Sequence, residues 1–248
     1  MKVVVIGGTG LIGSKVVGKL KDHGHEAVAA SPNTGVNTLT GEGLADVLKG
    51  ASVVVDVSNS PSFAPDAVME FFRTSTANLL VAEAEAGVTH HVALSIVGTE
   101  RLEENGYFRA KLAQEGLIKA SGIAYSIVHA TQFFEFVTAI ADSMTEGDTV
   151  RCPAAKIQPM YSDDVATAVA RTAAGAPLNG TVEIAGPEAF GFKEFLEQGL
   201  APHGDPRKVE ADVHAPYFGS ELEEASLLPG PDAQIAETRF ADWLAQQR

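Results

Sequence analysis

Apolar residues in this chain alternate between short continuous runs and longer stretches in which polar and apolar positions follow a helical period. The first run, Lys-Val-Val-Val-Ile over residues 2–6, is followed by an amphipathic stretch over 11–23. Continuous β-branched runs are typical of parallel strands that are buried on both faces. Strands that alternate with helices predict an α/β fold with a doubly wound parallel sheet.

The same pattern gives approximate bounds for each element. Strands are predicted near residues 2–6, 26–30, 52–57, 90–95, 123–128 and 181–185. Helices are predicted near residues 11–23, 41–49, 65–86, 104–121, 133–145, 162–174, 191–200 and 232–246. Residues 203–231 are rich in Pro, Gly and acidic residues and predict a loop-rich segment, which either covers a substrate crevice at the strand ends or wraps the surface.

A glycine turn joins the first predicted strand to the first predicted helix. Its three regularly spaced glycines give a G-x-x-G-x-x-G pattern. Such a turn lets the backbone approach a pyrophosphate, and the free N–H groups of the following helix attract anions. The alternative is a tight structural turn without a ligand. The residues predicted to contact a dinucleotide are Gly7, Thr9, Gly10, Leu11, Ile12 and Gly13.

Three further residues suggest a catalytic site. Tyr107 and Lys111 are four apart, so they share one face of the predicted helix, and Ser95 ends the preceding apolar strand. The pKa of a tyrosine phenol is ordinarily about 10. A lysine ammonium nearby favours the ionised form and so lowers this pKa. The alternatives are a surface tyrosine and a serine that caps the loop through Gly98.

These stretches, with residues 121–123 and 162–166, resemble the short-chain dehydrogenase/reductase superfamily. The resemblance is closest to its atypical, NmrA-like branch of NAD(P)-binding proteins, and it covers about residues 1–190. It implies a Rossmann-like NAD(P)-binding domain over 1–190 and a small C-terminal lobe over 191–248 that contributes to the substrate pocket. It also implies that Tyr107 is the acid/base, that Lys111 lowers its pKa and holds the nicotinamide ribose, and that Ser95 orients the substrate oxygen.

The end of the second strand bears on the choice of cofactor. An acidic residue there would bind the ribose 2′-OH of NAD, but the chain has Ser31, Asn33 and Thr34 instead. These side chains can donate hydrogen bonds to a 2′-phosphate, so NADP is favoured over NAD, although no Arg follows Ser31. In similar proteins the loop after the third strand runs along the cofactor, which makes Ser58 and Asn59 candidate contacts; ordinary turn chemistry is the alternative.

Candidate substrate contacts follow the fifth strand, where the crevice of such a sheet opens. His129 can bind substrate or relay a proton. The alternative is that this histidine has only a structural role. The neighbouring phenylalanines can wall a flat aromatic substrate, although core packing explains them about as well. The predicted substrate residues are His129, Gln132, Phe133, Phe136, Met160 and Tyr161.

Composition limits the partners and the location. The chain has 18 basic and 32 acidic residues, a formal charge of −14 that argues against nucleic-acid and anionic-membrane partners. Its single cysteine, Cys152, excludes an intrachain disulfide, and no signal peptide or membrane-length apolar run is present. We therefore expect a cytoplasmic protein without a metal site, and the resemblance adds a homodimer as one expectation.

The sequence thus predicts an NAD(P)H-dependent oxidoreductase that reduces a small hydrophobic carbonyl or quinone. The resemblance extends to reductases of aromatic polyketide quinones that serve as the reducing part of oxygenation systems. The alternative is a non-catalytic NAD(P) redox sensor of the NmrA type. A third hypothesis, an epimerase or dehydratase, would require a second phosphate site, for which the C-terminal region offers no basic cluster.

Overall fold

The computed structural model describes residues 1–247. Its twelve strands are β1 (Lys2–Ile6), β2 (Glu26–Ala30), β3 (Val53–Asp56), β4 (His90–Ile96), β5 (Tyr125–Ala130), β6 (Thr145–Glu146), β7 (Thr149–Pro153), β8 (Lys156–Ile157), β9 (Gly180–Ala185), β10 (Phe190–Gly191), β11 (Lys208–Asp212) and β12 (Gln234–Ile235). Its eight α-helices are α1 (Leu11–Asp22), α2 (Leu44–Leu48), α3 (Pro65–Ala86), α4 (Gly106–Ala120), α5 (Val137–Ser143), α6 (Ser162–Ala174), α7 (Phe192–Leu200) and α8 (Phe240–Ala245).

Seven strands form one parallel sheet in the order β12-β9-β5-β4-β3-β1-β2. The chain leaves β1 for β2 on one side and then crosses to β3 on the other side. The crevice between β1 and β3 is therefore the point at which the direction of winding reverses, where open α/β sheets bind their ligands. The predicted doubly wound parallel sheet is confirmed.

Helices cover both faces of the sheet because its strands carry apolar residues on both sides. One face packs on α1 and α6 through residues such as Val16 and Val169. The opposite face packs on α2, α3 and α4 through residues such as Leu48, Leu79 and Ile118. The candidate site lies at the carboxyl ends of the strands, where the glycine turn follows β1 and the loop with Ser58 and Asn59 follows β3.

The predicted strands and helices of the main sheet lie within a few residues of the observed ones. Two helices were predicted too long. The segment 133–145 contains a 3₁₀ turn at Phe134–Phe136 before α5, and the segment 232–246 contains β12 before α8. Four of the strands that the sequence did not predict have only two residues, which is too short for a clear period. The other two, β7 and β11, contain charged residues and no continuous apolar run.

The second hydrophobic cluster combines residues from both sides of position 190. It includes Phe134 and Cys152 together with Phe195, Phe240 and Trp243. In addition, β11 pairs with β7, and β12 pairs with β9 at the edge of the main sheet. Hydrophobic contacts and strand pairs therefore join the residues before position 190 to those after it. The predicted division into two domains at this position stays a prediction. Among the described residues, no helix is both long and apolar enough to cross a bilayer.

Candidate active site

The glycine turn after β1 is packed so closely that a side chain cannot be accommodated at Gly7, Gly8 or Gly13. Gly7 has a φ of +76°, and a Cβ there would lie 2.9 Å from the Ser58 Cα. A Cβ on Gly8 would lie 2.6 Å from the Val5 oxygen, and one on Gly13 would overlap the Gly7 carbonyl. Gly10, the N-cap of α1, has no side-chain cap and is open apart from the Gly7 oxygen at 3.3 Å. This turn fits a pyrophosphate at the free N–H groups of α1.

The loop after β2 is organised by its hydroxyl groups. The buried Ser31 Oγ accepts a hydrogen bond of 3.1 Å from the Thr9 hydroxyl, which ties this loop to the glycine turn. The Ser31 N–H donates to the Thr34 Oγ1 at 2.9 Å, while Asn33 is exposed on the 3₁₀ turn Pro32–Thr34. The position at which a carboxylate would bind an adenosine ribose is thus taken by a neutral hydroxyl.

The loop after β3 connects the glycine turn to α4. Asp56, at the end of β3, accepts hydrogen bonds from the Ser58 N–H at 3.0 Å and the Ser58 hydroxyl at 2.6 Å. The next residue, Asn59, accepts a 2.8 Å hydrogen bond from the Tyr107 hydroxyl. Because Ser58 lies against Gly7, Tyr107 is joined to the glycine turn through two consecutive residues.

Tyr107 is held in place at the first turn of α4. The side chain of Asn105 caps this helix and accepts from the backbone N–H groups of Tyr107 at 3.0 Å and Phe108 at 3.3 Å. The rings of Phe63, Phe72 and Phe108 surround the tyrosine ring. Burial raises the pKa of Tyr107 above its usual value near 10, and the hydrogen bond to Asn59 opposes this only in part. The phenol is therefore protonated at neutral pH.

Lys111 lies one turn further along α4 and is only 3% exposed. Its ammonium donates to the Leu94 carbonyl at 2.9 Å and to the Gln114 side chain, which in turn donates to Asp56 at 2.9 Å. Burial lowers the pKa of Lys111 to about 8, although Asp56 and Glu115 oppose this shift. The structure places Lys111 on the Asp56 side of the network, with no hydrogen bond to the Tyr107 hydroxyl.

Ser95, which is 3% exposed, is hydrogen-bonded inside the protein. Its hydroxyl donates to Glu115 at 2.6 Å, and the same carboxylate oxygen contacts His129 Nε2 at 2.8 Å. Its predicted role at the substrate oxygen stays a prediction, since its hydroxyl would have to leave Glu115 to perform it.

Comparisons with known proteins find a similar reductase and structures of the same fold. No family model matches the chain. A "(4-alkanoyl-5-oxo-2,5-dihydrofuran-3-yl)methyl phosphate reductase" of Streptomyces griseus is 26% identical over 226 residues, which cover 84% of this chain and 76% of that protein.

Two solved structures share the fold over nearly the whole of both chains. A dTDP-glucose 4,6-dehydratase of Streptomyces venezuelae with NAD bound has a TM-score of 0.74 at 19% identity, covering 99% of this chain and 95% of that one. An NADPH-dependent quinone oxidoreductase of Escherichia coli has a TM-score of 0.71 at 15% identity, covering 99% of each chain.

The chain shares the Rossmann-like α/β fold of these NAD- and NADPH-dependent enzymes, and the predicted resemblance to NAD(P)-binding proteins of this kind is confirmed. The preference for NADP stays a prediction, because the structures that share this fold are described with NAD or with NADPH.

Of the predicted substrate residues, Met160 is the most deeply buried. It is 1% exposed and packs in a hydrophobic cluster with residues of α6, and its backbone bonds to the Gln132 oxygen and the Phe134 N–H. Its contact with substrate stays a prediction.

The other predicted substrate residues occupy three settings. Phe133 and Phe136 stack at 5.6 Å, with Phe136 exposed, and Tyr161 lies under the Lys15 ammonium at 4.6 Å. The Gln132 Oε1 is buried, and the Gln132 side chain lies next to Tyr217. His129 lines a cavity of about 280 Å³ with Arg101 and Glu183. Their roles at a substrate stay predictions.

Five residues that were not predicted lie next to the candidate site residues. They are Asn105, Glu115, Phe63, Tyr217 and Phe218. Asn105 could have been found, since an asparagine before a predicted helix is a common N-cap. Burial raises the pKa of Tyr217, and the neighbouring Tyr107 adds to the effect while Gln132 opposes it, which places all three side chains together.

Glu115 gives a stability prediction. Burial alone would raise its pKa, but hydrogen bonds and charges of His129, Ser95 and Lys119 lower the pKa to about 2. A depressed carboxyl pKa stabilises the fold above its unfolded value near 4.5, and this contribution is lost as the pH falls towards 2. We expect Glu115→Gln to lower the free energy of unfolding by about 3 kcal/mol at neutral pH. Urea unfolding of both proteins should show that the difference shrinks as the pH falls from about 5 to 3; a difference independent of pH would contradict this assignment.

Proposed function

We propose that this chain is an NAD(P)H-dependent oxidoreductase that reduces a small hydrophobic carbonyl or quinone. The observation that carries the proposal is the 2.8 Å hydrogen bond from the Tyr107 hydroxyl to Asn59. Asn59 follows Ser58, whose backbone lies against Gly7, so a proton donor and a dinucleotide turn meet at one edge of the sheet. The similarity to a named reductase of Streptomyces griseus supports this assignment.

A bound nicotinamide dinucleotide would supply the hydride. The glycine turn and the N-terminus of α1 would hold its pyrophosphate, and Ser31 and Asn33 would contact the adenosine end. Tyr107, whose pKa burial raises, carries a proton at neutral pH and would give it to the substrate oxygen as charge develops there. A protonated tyrosine suits the reductive direction, in which the substrate oxygen gains a proton.

Lys111 would act through its charge and its fixed position. Its ammonium lies near Asp56 and the Leu94 carbonyl at the carboxyl end of β4. Its positive charge would favour loss of the Tyr107 proton to substrate. Its contact with the nicotinamide ribose remains an expectation from the resemblance. The reducing part of an oxygenation system, in which the hydroquinone product reacts with oxygen, remains an expectation from the resemblance.

A redox sensor is the second candidate function, and one observation favours it. Ser95, the residue expected to orient the substrate oxygen, is buried and donates to Glu115. A chain that binds NAD(P) but does not use this serine could report the cofactor state to a partner. This alternative requires tight cofactor binding without turnover of any substrate.

The experiment that separates the two functions follows nicotinamide absorbance with a panel of quinones, aromatic ketones and aldehydes. We expect turnover of at least one panel member, with kcat/KM about tenfold higher with NADPH than with NADH, because neutral hydroxyls replace the carboxylate that would repel a 2′-phosphate. Equal use of both cofactors would refute the preference for NADP. Tight cofactor binding with no turnover across the panel would favour the sensor.

Expectations about partners and location rest on the sequence alone. The acidic composition, with a formal charge of −14, favours a small-molecule partner over nucleic acid or an anionic membrane. A homodimer and a cytoplasmic location remain proposals of the same kind.

A further inference from the structure

Two exposed phenylalanine rings lie beside Tyr107. Phe63 is 57% exposed and Phe218 is 45% exposed. Their ring centroids are 6.2 Å apart with 25° between the planes, and the Phe63 centroid is 5.5 Å from that of Tyr107. We refer to Phe63, Tyr107 and Phe218 as the aromatic platform. Adjacent large rings left in water are unfavourable, so a continuous patch of this kind indicates a surface that binds something apolar.

The backbone that presents Phe218 is strained. Phe218 has a φ of +47° and is followed by Gly219 at +88°, in a tight turn closed by backbone hydrogen bonds between Tyr217 and Ser220. A left-handed conformation is unfavourable for a bulky residue and persists only where the surroundings hold it. An aspartate, asparagine or glycine would adopt this conformation more readily. The backbone conformation therefore does not explain why this position is a phenylalanine.

Asn105 holds this turn against α4. Its side-chain nitrogen donates to the carbonyl oxygens of Tyr217 at 3.2 Å and of Phe218 at 3.1 Å. Its side-chain oxygen accepts from the Tyr107 N–H at the start of α4. One side chain therefore fixes both the tyrosine and the phenylalanine, which are far apart in the sequence.

The spacing of the rings limits how a ligand can bind. A third ring between Phe63 and Phe218 would need about 7 Å between their planes, because each carbon–carbon contact takes about 3.5 Å. The observed 6.2 Å is too small, so a ligand would stack on the exposed outer faces. Since the platform consists of three aromatic side chains and no charged group, it suits a neutral, planar, unsaturated ring.

We infer that Phe218, positioned by Asn105, determines substrate specificity by stacking on the ring of an aromatic ketone or quinone next to Tyr107. The inference rests on the proposed reductase function for its chemical meaning, but the stacking itself can be measured without turnover. The assignment differs from the sequence-based expectation, in which Phe133 and Phe136 would wall the substrate.

The test measures binding and turnover separately. Equilibrium binding of neutral 2-(hydroxymethyl)anthraquinone to the NADP⁺-loaded protein, which cannot transfer a hydride to it, is compared for wild type, Phe218→Gly and Phe218→Trp. Glycine removes the ring and adopts the positive φ without strain. The thermal unfolding midpoint of each variant shows whether a change in binding reflects the fold. Val213→Ala, at a 65% exposed position of the same segment, is the matched control.

We expect Phe218→Gly to weaken binding of the anthraquinone about tenfold, with recovery in Phe218→Trp and no change in Val213→Ala. In turnover, KM for 1,4-naphthoquinone should rise by a similar factor while KM for hexanal is unchanged. Equal effects on both substrates, or no binding of the anthraquinone by wild type, would overturn the inference. Ring-dependent binding without turnover of any substrate would support the platform while refuting the reductase.

Discussion

Replacing Tyr107 by phenylalanine is expected to lower kcat by about 10² to 10⁴, the usual contribution of a positioned proton donor. The substitution removes the only group in the aromatic platform that can transfer a proton, and it leaves the ring among Phe63, Phe72 and Phe108. Because the Asn59 side chain loses one hydrogen bond of 2.8 Å, we expect only about 1 kcal/mol of lost stability. The Kd for NADPH should stay within about twofold, since the hydroxyl does not contact the glycine turn.

The matched control makes the same change at Tyr125, a half-buried tyrosine of β5 with no proposed role. Stopped-flow or steady-state turnover of the best panel substrate and fluorescence titration with NADPH provide the two measurements. Tyr125→Phe should leave both unchanged. Full turnover by Tyr107→Phe would show that another group delivers the proton, and His129 next to Glu115 would then be examined first.

Replacing Gly13 by alanine is expected to weaken NADPH binding at least a hundredfold. A Cβ at this position overlaps the Gly7 carbonyl oxygen, so α1 and the glycine turn must separate. The pyrophosphate would then lose its alignment with the N–H groups at the start of α1, which are the main source of its binding energy. Isothermal titration with NADPH measures the loss, and thermal unfolding shows how much of it reflects the fold.

Two further substitutions separate ligand binding from folding. Gly18→Ala places the same methyl group on the same helix where no atom lies within 4 Å, so we expect up to about 1 kcal/mol of added stability and unchanged binding. Gly10→Ala meets only the Gly7 oxygen at 3.3 Å and projects towards the open side of the turn. If Gly10→Ala weakens NADPH binding while the unfolding midpoint stays nearly unchanged, the substitution acts on ligand binding and not on folding. Unchanged binding by both Gly10→Ala and Gly13→Ala would favour a structural turn without a ligand.

The sequence predicted the main sheet well because its signals are local. A buried strand such as Lys2–Ile6 and a long helix such as Pro65–Ala86 are each encoded by consecutive residues, and the glycine turn lies between adjacent elements. Very short strands such as Gln234–Ile235 gave no such signal, because they exist only through pairing with a distant strand. The helix predicted over 232–246 was too long for the same reason.

The site itself was predictable only in part. From the sequence alone we identified the glycine turn, Tyr107 and Lys111, since their spacing along the chain carries their meaning. Only the tertiary structure decided that Tyr107 binds Asn59, 48 residues away, that Ser95 turns to Glu115, and that Asn105 holds Phe218 from 113 residues away. Hydrogen-bond partners across such distances depend on how strands and helices are brought together, and no local pattern of residues records that arrangement.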